Sequence, residues 1–302
     1  MKILITGGSG LIGKHLVNQF LSEGHTISVL SRNINKASKV LPSTVLLYHW
    51  DPLKNICPAE VVVNSDVIIH LAGENIVGWW NKKKRSLIKD SRILGTRILV
   101  DCFSHTNQKP KKLISASAVG YYGDRGDEVL TENSSTGKDF LAVICKEWEE
   151  ESNRSMALGV PSVQLRTGIV LSNTGGALKR LVPLWKFGLA TKFGDGNQWW
   201  PWIHIDDFVS VVKFVIENEI TGTLNVSAPD SIRQSEFAYH LAKVLNRPVL
   251  NRVPKFFLRM ILGELALEMI GSKRVIPQRL MNEEFVFKYP DFRDALNDLI
   301  TG

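Results

Sequence analysis

The chain predicts an α/β fold with a doubly wound parallel sheet, and three features carry that prediction. Short β-branched runs alternate with longer stretches of helical periodicity over residues 1–170. A glycine-rich turn joins the first such run to the first helix. The alternation is never interrupted by an uncharged apolar run of about 18 residues, so no transmembrane helix is expected.

Residues 3–6 (Ile-Leu-Ile-Thr) read as a short buried strand. Gly7-Gly8-Ser9-Gly10-Leu11-Ile12-Gly13 follows. Apolar residues then recur at Ile12, Leu16, Phe20 and Leu21 with helical spacing, and Gly24 stands where that helix would stop. A second strand is predicted over Thr26–Leu30. Strand, glycine turn, helix and strand within about 30 residues is the context in which such glycines bind a dinucleotide. Gly7 permits the tight turn, Gly10 lets the backbone approach a pyrophosphate, and Gly13 lets the helix pack closely. The helix N-terminus, at Leu11 and Ile12, offers free N–H groups and a positive dipole end to the phosphates.

The end of the second strand selects the cofactor. NAD-binding chains usually carry Asp or Glu there to accept from the ribose hydroxyls. This chain has Ser31-Arg32-Asn33. Arg32 can pair with a 2′-phosphate through charge-assisted bonds, so NADP(H) is expected. Further strands are predicted at Val45–Tyr48, Val67–Leu71, Leu113–Ser115 and Ser162–Leu165, with helices near 82–103 and 139–157. Asp51, after the third strand, is either an adenine contact or a turn residue before Pro52. Leu71, Ala72 and Gly73, at the end of the fourth, are small enough for a cofactor to lie across the sheet edge.

The opening TGGSGLIG, HLAG at 70–73, SASAVGYYG at 115–123 and WIHIDDF at 202–208 resemble the extended or atypical short-chain dehydrogenase/reductases, relatives of nucleotide-sugar epimerases. AGENI, SRILGTR, DFLAVICKEWE, LRTGIVLS, GDGNQWWPWIHIDD, VIPQRL and FVFKYPDFRDAL resemble one branch, the epimerase family proteins, whose C-terminal segment is a domain of unknown function. The resemblance implies a Rossmann fold over 1–170, with a returning segment near 203–228. It also implies a smaller, partly interleaved substrate or lid domain over 171–302, including a family-specific tail near 250–300. It implies NADP(H) and an oxidoreductase- or epimerase-like pocket for a small alcohol, carbonyl or nucleotide-linked substrate.

That superfamily uses a Tyr-x-x-x-Lys pair with a Ser or Thr. Ser115 or Ser117 meets the hydroxyl requirement, and Ser117 is the preferred alignment. Four residues before Lys146 stands Ala142, so the standard pair is absent. Lys146 remains a candidate ribose contact, although alignment on Trp148-Glu149 puts Cys145 at the lysine position. Tyr121 and Tyr122 are candidate replacement acids, with Tyr122 taken as the catalytic candidate. The family match favours Arg92 as a cofactor contact reaching a phosphate, and Glu74 as facing the nicotinamide. The missing pair also supports a second reading, a non-catalytic NADP(H)-binding regulatory or scaffold protein.

The net charge is +7. The clusters Lys82-Lys83-Lys84-Arg85 and Lys109, Lys111, Lys112 lack interleaved aromatics and read as solvated faces, so nucleic acid is not expected as a partner. Cys57, Cys102 and Cys145 are scattered, which argues against a disulfide framework or zinc site. Met1-Lys2 leads directly into the first strand, so no secretory leader is expected and a cytoplasmic location is. Trp199-Trp200-Pro201-Trp202 reads as a pocket wall or as interface packing. Asp206 reads as an N-cap, and no metal site is expected. The run Phe256–Ile270 reads as one packed amphipathic helix, compatible with a homodimer interface and not with a membrane span.

Overall fold

Side chains alternate along β1 (Lys2–Thr6), so Ile3 and Ile5 enter one helical layer and Leu4 the other. The computed structural model describes residues 1–54, 56–105, 108–249 and 251–301. The sheet continues with β2 (Thr26–Ser31), β3 (Leu46–His49), β4 (Val67–His70), β5 (Lys112–Ala118), β6 (Ser162–Thr167) and β7 (Gly222–Val226). All pairings are parallel, in the order β3-β2-β1-β4-β5-β6-β7. This is the doubly wound Rossmann sheet, extended by β7. Its order reverses between β1 and β4, and the crevice at that switch point is where ligands bind in such sheets.

The flanking helices are α1 (Leu11–Ser22), α2 (Lys82–Asp101), α3 (Phe140–Ala157) and α4 (Ile205–Glu217). Leu16 and Phe20 of α1 meet Val211 and Val212 of α4 over one face of the sheet. Leu99 of α2 and Phe103 cover the other face, over Leu4, Ile68 and Leu113. Each such fully buried side chain stabilises the fold by about 1.5–3 kcal/mol.

After β6 the chain leaves the sheet to build a second core around Trp185, Trp200, Trp202, Phe237 and Phe292. It then returns through α4 and β7. The tail comes back as well: Leu280, Phe285 and Phe287 pack on the first core, and Asp207 accepts from the backbone N–H groups of Lys288 (2.7 Å) and Tyr289 (2.9 Å).

Four local expectations change. The cap of α4 is His204, whose Nδ1 accepts from the Asp206 N–H at 3.1 Å, so Asp206 lies in the first turn instead. The run expected as one helix breaks into Lys255–Leu262 and Leu265–Ile270, because Gly263 adopts φ +59°. Phe256, Phe257, Met260 and Ile261 there are exposed rather than packed. The basic clusters are only partly solvated: Lys84 and Arg85 are paired with Glu74 and Glu264, and Lys112 is buried. The Cys57 and Cys102 thiols, far apart in sequence, meet at 3.3 Å. Among the described residues no helix is long and apolar enough to cross a membrane.

Candidate functional site

The crevice holds two cavities. The first, of about 420 Å³, lies between the glycine turn, the end of β2 and Leu71–Gly73. Gly7 has φ +73°, and a Cβ there would stand 2.9 Å from the Leu71 carbonyl carbon. A Cβ on Gly13 would stand 2.6 Å from the Gly8 Cα, so only glycine lets α1 start this close to the turn. Gly10 caps α1 without any side-chain acceptor for the first-turn N–H groups of Leu11 and Ile12. Around a Cβ on Gly10 the surroundings are open except for the Gly7 carbonyl at 3.1 Å, so a side chain would fill the groove that Gly10 lines. The turn therefore fits a pyrophosphate.

At the end of β2, Ser31 and Asn33 are held by local bonds. The Asn33 N–H reaches Ser31 Oγ at 3.2 Å, and Asn33 Oδ1 accepts from the Lys36 N–H at 2.8 Å. Arg32 is left on the groove edge with its side chain 57% exposed, 3.8 Å from Glu74 Oε2. Glu74 Oε1 accepts from Lys84 Nζ at 2.7 Å. Glu74 was expected at the nicotinamide side; it stands instead beside Arg32 on the first cavity. Trp50, Pro52 and Leu53 line the groove, whereas Asp51 does not. Asp51 forms a tight backbone bridge with Ile56 and an ion pair with Lys54 at 3.7 Å, which is the turn role.

Beneath the crevice runs a directional chain of hydrogen bonds. The Ala72 N–H donates to Thr6 Oγ1 at 3.1 Å, and because Thr96 spends its proton on the Arg92 carbonyl and so takes the His70 Nε2–H, the bare Nδ1 of the neutral ring accepts from the Thr6 hydroxyl at 2.7 Å. His70 Nε2–H then faces Thr96 Oγ1 at 3.0 Å, and Thr96 donates to the Arg92 carbonyl at 2.6 Å. Burial alone pushes His70 down to about 4, so it is neutral near pH 7.

The second cavity, of about 430 Å³, opens between the end of β5, α3 and the second lobe. Ser117, Arg92, Cys145, Trp199, Glu268 and Lys273 face it from otherwise apolar walls. Ser117 donates its hydroxyl to Glu149 Oε1 at 2.6 Å. Glu149 is held by Arg166 through two N–H bonds of 2.9 and 2.8 Å, and Arg166 also donates to Tyr122 Oη at 3.0 Å. Tyr122 donates to Asn225 Oδ1 at 2.6 Å.

Tyr122 is therefore part of a buried network and does not line the cavity. Burial pushes its phenol up to about 12. Ser115 is wholly buried. Lys146 lines neither cavity; its side chain is 55% exposed, 3.7 Å from Glu150. The helix turns it to solvent and places Cys145 on the cavity wall instead. Arg92, expected on a phosphate, lines the second cavity. Trp199 and Trp200 form both a wall and packing, Trp199 donating to Asp127 Oδ1 at 2.7 Å. Lys273 and Glu268, paired at 3.2 Å, were not singled out in the sequence. A lone lysine after a short helix has no pattern that marks it.

Residues 3–227 match the NAD dependent epimerase/dehydratase family, and residues 253–299 match a domain of unknown function, DUF1731. Epimerase family protein YfhF of Bacillus subtilis is 35% identical over 302 residues, covering 99% of this chain and 98% of that one. The chloroplastic SDR39U1 homolog of Arabidopsis thaliana, also an epimerase family protein, is 34% identical, covering 99% of this chain and 87% of its own length. The crystal structure of human epimerase family protein SDR39U1 (isoform 2) with NADPH superimposes with a TM-score of 0.86 at 26% identity, spanning 100% of both chains. With the switch-point crevice and glycine turn in place, the chain belongs to the NAD dependent epimerase/dehydratase family as an NAD(P)-binding protein.

Proposed function

We propose that the first cavity binds NADP(H) and that the second carries hydride chemistry on a small alcohol or carbonyl compound. One observation carries the cofactor choice. The groove edge holds Arg32 and Lys36, with Lys84 behind them, against the single carboxylate of Glu74. This surplus of positive charge suits a 2′-phosphate of about −2. NADPH in the human relative supports the same choice. Gly7, Gly10 and the N–H groups of Leu11, Ile12 and Gly13 hold the pyrophosphate. Ser31 and Leu71–Gly73 flank the ribose. Bound there, NADP(H) supplies or accepts the hydride.

In the second cavity the Ser117 hydroxyl donates its hydrogen bond to Glu149, so its oxygen offers lone pairs to a substrate hydroxyl. Lys273 can donate from its ammonium while Glu268 holds it at 3.2 Å. It takes the proton-donating part that a Tyr plays in the wider superfamily. Lys146 and Tyr122 have no part in this reading.

A second reading, a non-catalytic NADP(H)-binding regulatory protein, is favoured by Ala142, which is buried where the Tyr would stand. Two measurements separate them. Titration should give NADPH about tenfold or more tighter than NADH, with the preference lost in Arg32→Ala. Equal affinity would sink the cofactor choice. The NADPH-loaded protein is then mixed with a panel of small aldehydes and ketones while nicotinamide absorbance is followed. Consumption that Lys273→Met abolishes supports the enzyme, and no consumption with any compound leaves the regulatory reading.

A further inference from the structure

Among the described residues, one cation on the second cavity has no carboxylate in ion-pair contact, and the Glu74 charge acts on it only from farther off. Arg92 lies on the cavity wall with the guanidinium carbon 5.2 Å from the Trp148 ring centroid. One guanidinium nitrogen donates to the backbone carbonyls of Glu74 and Ile88, each at 3.0 Å. Among the described residues no carboxylate forms an ion pair with it. Every nearby carboxylate is engaged elsewhere. Glu74 faces Lys84 and Arg32, Glu149 is held by Arg166 and Ser117, and Glu268 is paired with Lys273. Cys145, the other ionisable neighbour, is a buried thiol that burial keeps protonated. The remaining wall is apolar, with Ile76, Leu141, Ile144 and Trp200.

A guanidinium largely withdrawn from water and left unpaired is costly, and the cost falls when an anion enters. Its planar fork matches a carboxylate, and the apolar wall matches a flat or aliphatic body. We infer that the second cavity binds a small organic carboxylate, its anionic end on Arg92 and its apolar body against Trp200 and Ile144. This inference rests on the cavity being the substrate site proposed above, and it names the substrate class. The competing source of negative charge is a cofactor phosphate. Gly73 lines the first cavity, and a Cβ on it would stand 3.2 Å from the Arg92 guanidinium carbon.

The test uses benzoate and its neutral isostere benzamide as probes on the full chain, with and without saturating NADPH, read by tryptophan fluorescence and calorimetry. Benzoate should bind about tenfold or more tighter than benzamide. Arg92→Met should erase that preference while NADPH affinity stays within about threefold. Arg92→Lys should keep the preference at reduced affinity, which covers the case in which the Met variant does not fold. Arg97→Met removes a solvent-facing charge from the same helix and should change nothing. Equal binding of the two probes to the wild-type chain overturns the inference. So does an Arg92→Met variant that loses NADPH affinity and keeps the benzoate preference, since the guanidinium then serves the cofactor. A chain that fails to prefer NADPH refutes the cofactor proposal alone, because the probe ratio on cofactor-free protein still decides this one.

Discussion

Ser117 donates its hydroxyl proton to Glu149 across 2.6 Å, joining the end of β5 to the middle of α3. Arg166 of β6 completes the pair, and Tyr122 and Asn225 extend it to β7. The group that faces the second cavity is thus anchored in a network that crosses three strands and a helix. Both charged members are almost wholly buried.

Breaking this pair on one side should be severe. Glu149→Leu leaves the Arg166 guanidinium buried with no counter-charge and should cost about 3–5 kcal/mol. Adding Arg166→Met removes the stranded charge and should recover part of the loss. Urea unfolding of the two single variants and the double variant measures this. A single-variant loss below about 1 kcal/mol would mean that water reaches the network.

The Tyr122 hydroxyl should matter for stability and not for cofactor binding. Tyr122→Phe removes a donor to Asn225 and an acceptor for Arg166, at a cost of about 1–3 kcal/mol. NADPH affinity should be unchanged, and so should any hydride transfer found with the panel. Lost turnover in a fully stable variant would return Tyr122 to the reaction.

Stability should fall on the acid side through His70. Its folded value, about 4, lies below the ordinary 6.5 because burial disfavours the cation. The unfolded chain therefore binds a proton first as pH drops. The stabilisation is complete above about pH 6.5 and is lost between there and about pH 4, amounting to about 3 kcal/mol. Protonation would also oppose the Thr6 hydroxyl with a second donor at Nδ1. Denaturant midpoints across that range test it, and His70→Phe should flatten the slope over the same window.

The glycines should separate by role. Gly13→Ala forces a methyl against the Gly8 Cα and should lower both stability and cofactor affinity. Gly10→Ala meets only one carbonyl and should leave the melting temperature nearly unchanged while weakening NADPH about tenfold or more. Thermal melts paired with NADPH titrations distinguish the two. Equal effects on stability would contradict the open surroundings of Gly10.

The Rossmann core and the first cavity are legible along the chain, because their determinants are local. A continuous apolar run buried on both faces, a glycine turn before a helix and Arg32 at a strand end all lie within 32 residues of the start. The second cavity comes together only in the folded chain. Arg92, Ser117, Cys145, Glu268 and Lys273 come from four separate stretches of chain; the family resemblance marks the first three, but Glu268 and Lys273 carry no spacing signal. Residue 146 illustrates the limit. Counting back four places found the missing Tyr, but the direction in which α3 faces decided that Cys145 and not Lys146 reaches the pocket. Side-chain direction likewise put Glu74 beside Arg32 on the first cavity and Arg92 on the wall of the second. Which carboxylate neutralises which cation depends on distances across the fold, and Coulomb energy follows those distances rather than order along the chain.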